Sequence, residues 1–223
     1  MNFDENFALG LISGGTVEND NAVFEFWDAF QDNGNRTDYK NAFYGQGWND
    51  TTFKPQHNII PVGDAGSIFQ NCKITNLKEI LEKNNVTLDF SGATVLSYPF
   101  QDSTITHLGT LDCRNITNLG YILTDSKMME GVDKIILKED GSQTFGTFAF
   151  RFDTKLKEIR FEGAIGQSLS FVHCNLLSAD SVQDIIDHLA TVTTAQTLTL
   201  HSAITLTDEQ KATINAKGWT LAQ

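Results

Sequence analysis

The sequence predicts an α/β fold built as a solenoid of irregular short-strand coils, closed at its C-terminal end by a helix-strand-helix-strand cap. Two observations predict it. The first is a pattern that recurs five times, opening on Phe69, Phe100, Leu123, Phe150 and Phe171. Each large apolar anchor is followed three places on by a small or polar residue: Cys72, Ser103, Ser126, Asp153 and Cys174. Aliphatic residues or Met follow, as in Ile74 and Leu77, Ile105 and Leu108, Met129 and Val132, Leu156 and Ile159, and Leu177 and Val182. The anchors lie 31, 23, 27 and 21 residues apart. Periods of this size mark stacked coils, because one such coil cannot bury its own apolar face. The second observation is a change of grammar at residue 178, where helix-capping signals replace the repeat.

From the N-terminus, residues 1–20 read as a separate arm. Phe7 to Ile12 suits a short helix, stopped by Ser13-Gly14-Gly15. A frayed terminus and an attachment or oligomerising arm are both compatible with that pattern. As an assembly element, its docking side chains would be Phe3, Phe7, Leu9, Leu11 and Ile12. Residues 21–58 are aromatic-rich. Val23, Phe26, Trp27 and Phe30 share a helical face, while a strand over Val23 to Phe30 would cover Phe24. Phe43 lies 26 residues before Phe69 and makes this segment a divergent first coil or cap. The alternative is an exposed aromatic patch of Tyr44, Trp48 and Phe53 that stacks on sugars. Residues 59–177 hold the coils. Short strand-like pieces fall at 86–90, 108–113, 134–138 and 158–161, and 77–84 can add a helical turn.

The C-terminal cap spans 178–223. Ser178 is placed to cap a helix whose Val182, Ile185, Ile186 and Leu189 share one face. Thr197 to His201 alternates as a strand. Thr207-Asp208-Glu209-Gln210 is a capping box, Gly218 sits where a helix-terminating glycine belongs, and Trp219 opens a closing strand. Such a cap covers the strand edges that an open stack would expose.

Composition bounds the function. The 223 residues are 40% hydrophobic, with 16 Phe, which is enough for a core. A net charge of −12 with no basic run argues against nucleic acid and anionic membrane surfaces as partners. The acidic residues of the N-terminal stretch and its short apolar run do not make a signal peptide. Three widely spaced cysteines, two of them at the same repeat position, read as structural thiols.

The F-x-x-C/S/D-x-x-L-x-x-I units over about residues 40–182 resemble the BspA-like, Treponema-type leucine-rich repeats. In that family each unit supplies a short strand and an irregular return. The proline that often follows the second strand position is missing here, and the spacing varies more than is usual there. The tail from Leu177 through Trp219 looks like the terminal cap of such proteins in gut Firmicutes, their prophages and tailed phages, and stretches around Asn35 to Phe43 and Gly47 to Pro55 resemble the same group. The resemblance implies a leucine-rich-repeat-like solenoid with a surface-recognition or virion role, and it transfers no catalytic residue.

Chemistry-bearing residues give no competing signal. His173 beside Cys174, with His201 as a third ligand, fits no zinc spacing. Asp32-Asn33-Gly34-Asn35 fails as a calcium loop, because Ala29 stands where the first ligand belongs. Glu162 with Asp133, Glu139 or Asp140 could form a glycosidase pair only if folding brought them to one face. The expectation is therefore a non-enzymatic protein without metal or cofactor. It would be a phage or prophage virion component (tail fibre, baseplate or head decoration), a homo-oligomer such as a trimer, contacting other virion proteins or a host cell-surface protein or glycan. The alternative is a bacterial cell-surface adhesin.

Overall fold

The computed structural model describes residues 39–55 and 58–223. Over these residues the chain is a mixed α/β fold of short parallel strands with three α-helices and no closed barrel. The strands are β1 (Gly63–Asp64), β2 (Ala93–Val95), β3 (His107–Asp112), β4 (Gly131–Ile136), β5 (Glu158–Glu162), β6 (Leu169–Phe171), β7 (Gln196–Leu200) and β8 (Trp219–Ala222). The helices are α1 (Leu77–Lys83), α2 (Ala179–His188) and α3 (Asp208–Ala216). Three parallel sheets form in chain order: β1-β2, β3-β4-β5 and β6-β7-β8. Isolated parallel bridges, Asn49 to Lys73 and Gly146 to Leu169 among them, link further segments in the same sense.

The repeated pattern becomes a repeated turn. The anchor N–H donates to the carbonyl just before the next anchor: Phe43 to Ile68 (2.7 Å), Phe69 to Pro99 (2.8 Å) and Leu123 to Ala149 (2.9 Å). Two residues on, the bond repeats from Gly45 to Gln70, Asn71 to Gln101 and Asp125 to Arg151. At Asp102 the acceptor slips by one, to Asp125 itself. Each unit thus satisfies its backbone on its neighbour, as buried amides require. The anchors then stack through the core. Phe43 and Phe69 are 4.9 Å apart, Phe69 and Phe100 6.0 Å, and Phe150 and Phe171 4.3 Å, all face to face. Burial of each ring contributes about 1.5–3 kcal/mol.

The third place after each anchor lies inside the turn, where only small side chains fit. Cys72, Ser103, Ser126, Asp153 and Cys174 are all buried there. All three cysteines are free, and burial pushes their thiols up, Cys72 to about 12. The outer face of β3-β4-β5 is charged and cross-linked: Lys78 to Asp133 at 2.6 Å, Lys134 to Glu162 at 2.8 Å and Lys157 to Glu130 at 2.9 Å. Such exposed pairs add about 0–1 kcal/mol each, so the apolar interior holds the units together.

At the C-terminal end the capping signals are realised. Ser178 Oγ accepts from the Ser181 N–H, and Thr207 with Gln210 forms both bonds of a capping box. Gly218 follows α3 at φ +84° and turns the chain into β8, which pairs with β7. The piece at 86–90 forms only a single bridge, Ile59 to Leu88, while β2 and β6 arise where the sequence showed no strand pattern. Phe3, Phe7, Leu9, Leu11 and Ile12, and the expected helix over 23–30, lie outside the described residues.

Candidate recognition surface

Two residues before the anchor, three successive units carry an aromatic ring: Tyr98, Tyr121 and Phe148. In-register stacking of the units brings these side chains together on the surface. Tyr98 and Tyr121 stack with centroids 4.4 Å apart, and Tyr121 and Phe148 with centroids 6.0 Å apart and planes 6° apart. The Arg151 guanidinium carbon lies 5.2 Å from the Phe148 centroid and 4.5 Å from that of Phe152. The Phe152 ring meets His173 of the next unit at 4.6 Å. The result is a surface column that crosses four units: Tyr98, Tyr121, Phe148, Arg151, Phe152, His173.

Several properties separate this column from ordinary surface. Phe148 is 42% exposed and Phe152 36%, with Val172 exposed at the C-terminal end of the run. Among the described residues, Arg114 and Arg160 reach carboxylates, whereas Arg151 has none at ion-pair distance. Among the described residues, eight non-glycine positions hold positive φ. Six are Asn, Asp or Ser, which tolerate or favour turn conformations. The other two, Tyr98 at +53° and Phe152 at +63°, are both aromatic and both belong to the column. Equivalent positions two residues past the anchor hold Gly45, Asn71, Asp102 and Asp125. A left-handed backbone of this kind is costly for large side chains.

Burial raises the Tyr98 phenol, its hydrogen bond with Tyr121 adds to this, and the Arg151 charge opposes it. Asp125, whose charge also reaches Tyr98, is held by Lys127 at 3.8 Å. Rings stacked face to face present their edges outward, and ring edges carry partial positive charge.

Other expected site residues fall elsewhere. Trp48 and Phe53 are 5% and 1% exposed, packed edge-on against Phe43 at 5.4 and 5.3 Å, and only Tyr44 is half-exposed. The sugar-stacking patch of Tyr44, Trp48 and Phe53 is therefore corrected: two of its three rings fill the core beneath the first anchor, because apolar rings beside Phe43 gain more from burial than from water. His173 and Cys174 diverge. The histidine lies on Phe152, while the Cys174 thiol donates to the Phe150 carbonyl at 3.5 Å. Asp133 and Glu162 are each tied to a lysine, and Lys134 holds the Glu162 carboxyl below its usual range, opposite to the shift a general acid needs. The column was readable in the sequence as an aromatic two places before three consecutive anchors, but reading forward from each anchor misses it. Among the described residues no helix is long and apolar enough to cross a membrane. No protein-family model, curated protein or solved structure matches the chain.

Proposed function

We propose that this protein is a non-enzymatic recognition scaffold, a leucine-rich-repeat-like solenoid that serves as a phage or prophage virion component. The parallel, in-register pairing of successive units supports the solenoid reading, since coils that stack this way extend one surface over many repeats. The virion setting rests on the resemblance of the repeats and their cap to BspA-like proteins. The observation that carries the recognition role is the surface column, where two aromatic residues hold strained backbone and an arginine has no carboxylate at ion-pair distance among the described residues. Stability alone would place Asn or Gly at those backbone positions and an acid beside the arginine.

The test uses the fluorescently labelled full-length chain, mixed separately with intact phage particles and with whole host cells. The expected outcome is saturable binding that is lost in a Phe148→Ser, Phe152→Asn double variant with an unchanged circular dichroism spectrum. Binding to neither, or binding indifferent to the double variant, would remove the recognition reading. Binding to cells alone, with none to particles, would move the protein from the virion to the cell surface.

A further inference from the structure

We propose that the surface around Arg151 binds a protein partner through a peptide segment in which a carboxylate stands beside an aliphatic or aromatic side chain. This rests on the recognition reading and names the chemistry of its ligand.

The ring geometry separates a peptide from a saccharide. A sugar ring needs an open aromatic face to stack on. Around the arginine the faces are used internally: Tyr121 lies between Tyr98 and Phe148, and the guanidinium of Arg151 lies over Phe148 and Phe152. What remains for a ligand there is a set of ring edges and the N–H fork of the arginine. Edges and N–H groups both favour negative charge.

The arginine supplies the charge complement. A guanidinium flat against aromatic rings is weakly hydrated and held in one plane, so its fork is ready for bidentate capture of a carboxylate. In a chain of net charge −12, this cation has no carboxylate of its own at ion-pair distance among the described residues. One arginine in an acidic body does not make a nucleic-acid site, which needs many phosphate contacts.

The apolar component lies next to it. Phe150 stacks on Phe171, and Phe152 meets His173, so Val172 sits on the next unit at the place Arg151 holds on its own. Val172 is 41% exposed. Aromatic residues and an arginine together match the composition of protein-interface hot spots, and Val172 adds apolar area beside them. The Phe152 backbone at φ +63° adds an independent sign, because an exposed ring held there at a cost to stability is best explained by contact with a partner.

The experiment selects a randomised linear peptide library, displayed as RNA fusions, against the immobilised full-length chain. Enriched sequences are expected to share Asp or Glu next to Leu, Ile, Phe or Trp. Their affinity should fall about tenfold or more in Arg151→Gln and in Phe152→Asn, fall less in Arg151→Lys, and hold in the distant control Lys134→Gln. Thermal unfolding of each variant confirms that the fold is retained. Enriched peptides without an acid, or with affinity unchanged in Arg151→Gln, would overturn the proposal. The same chain is applied to a glycan array. Arg151-dependent saccharide binding would overturn the peptide proposal and leave the recognition reading standing. Absence of any ligand of either kind at the column would overturn both.

Discussion

At Phe152 two magnitudes compete. Its positive φ costs about 1–2 kcal/mol for a residue with a Cβ, while the exposed contact with Arg151 returns about 0.5–1 kcal/mol. Phe152→Asn should therefore raise stability, by some tenths to about 1 kcal/mol, with the gain read from chemical denaturation. If the column binds a partner, the same variant gains stability and loses binding, the exchange expected where function holds strain in place. The next residue, Asp153, carries the second residue-scale prediction. It is fully buried, its Oδ1 accepts from the Ser126 N–H at 3.0 Å, and its Oδ2 has no hydrogen-bond partner among the described residues. Burial raises its carboxyl well above the ordinary range, the Ser126 N–H opposes this, and the Asp125 charge adds to it. The unfolded chain ionises this group near pH 4, whereas the folded chain keeps it protonated to higher pH. Its contribution is thus full below about pH 4 and is lost as pH rises towards the folded value. Asp153→Asn should flatten that fall, as measured by urea unfolding at a series of pH values from 4 upward. An unchanged slope would show that other groups set the pH dependence.

At the scale of elements, the units are held by stacked anchors and the C-terminal segment by its caps. Phe150→Ala removes a ring packed at 4.3 Å against Phe171 and 6.1 Å from Phe145, and should cost about 3–5 kcal/mol. Thr207→Ala removes one half of the capping box on α3 and should cost only about 1 kcal/mol. Gly218→Ala is more damaging than the cap, since its backbone is at φ +84° and a Cβ would run into the Val192 carbonyl. Thermal unfolding of the three variants should rank Thr207→Ala as the mildest. The elements also show where local pattern stops being informative. The capping residues of α2 and α3 were readable because caps are satisfied within three residues of chain. The strands β2 and β6 were not, because each is only three residues long, and its hydrogen bonds come from segments 30 or so residues away. Trp48 and Phe53 show the same limit from the other side. Their types permit both a surface platform and a core, and only the position of Phe43 and Phe69 puts them inside.

At the scale of the whole molecule, the proposed recognition role would gain from repetition on a symmetry axis, because linked copies raise effective concentration. Light scattering on the full-length protein should give a closed oligomer that falls to the monomer mass when residues 1–20 are removed. A monomer in both forms would take assembly out of the proposal and leave recognition by single copies. The sequence by itself determined the anchors, the small residue inside each turn, the C-terminal α/β segment with its two N-capped helices and the acidic balance. All of these depend on the chemistry of residues close in sequence or on a repeat that keeps its order. Only the tertiary structure decided which side chains meet across units. The parallel hydrogen bonds set the register, and the register carries Tyr98, Tyr121 and Phe148 into one column with Arg151 and Phe152 while Trp48 and Phe53 turn inward. A repeat shows that units stack, but the side-chain contacts between them follow from register and twist, which are properties of the packed chain.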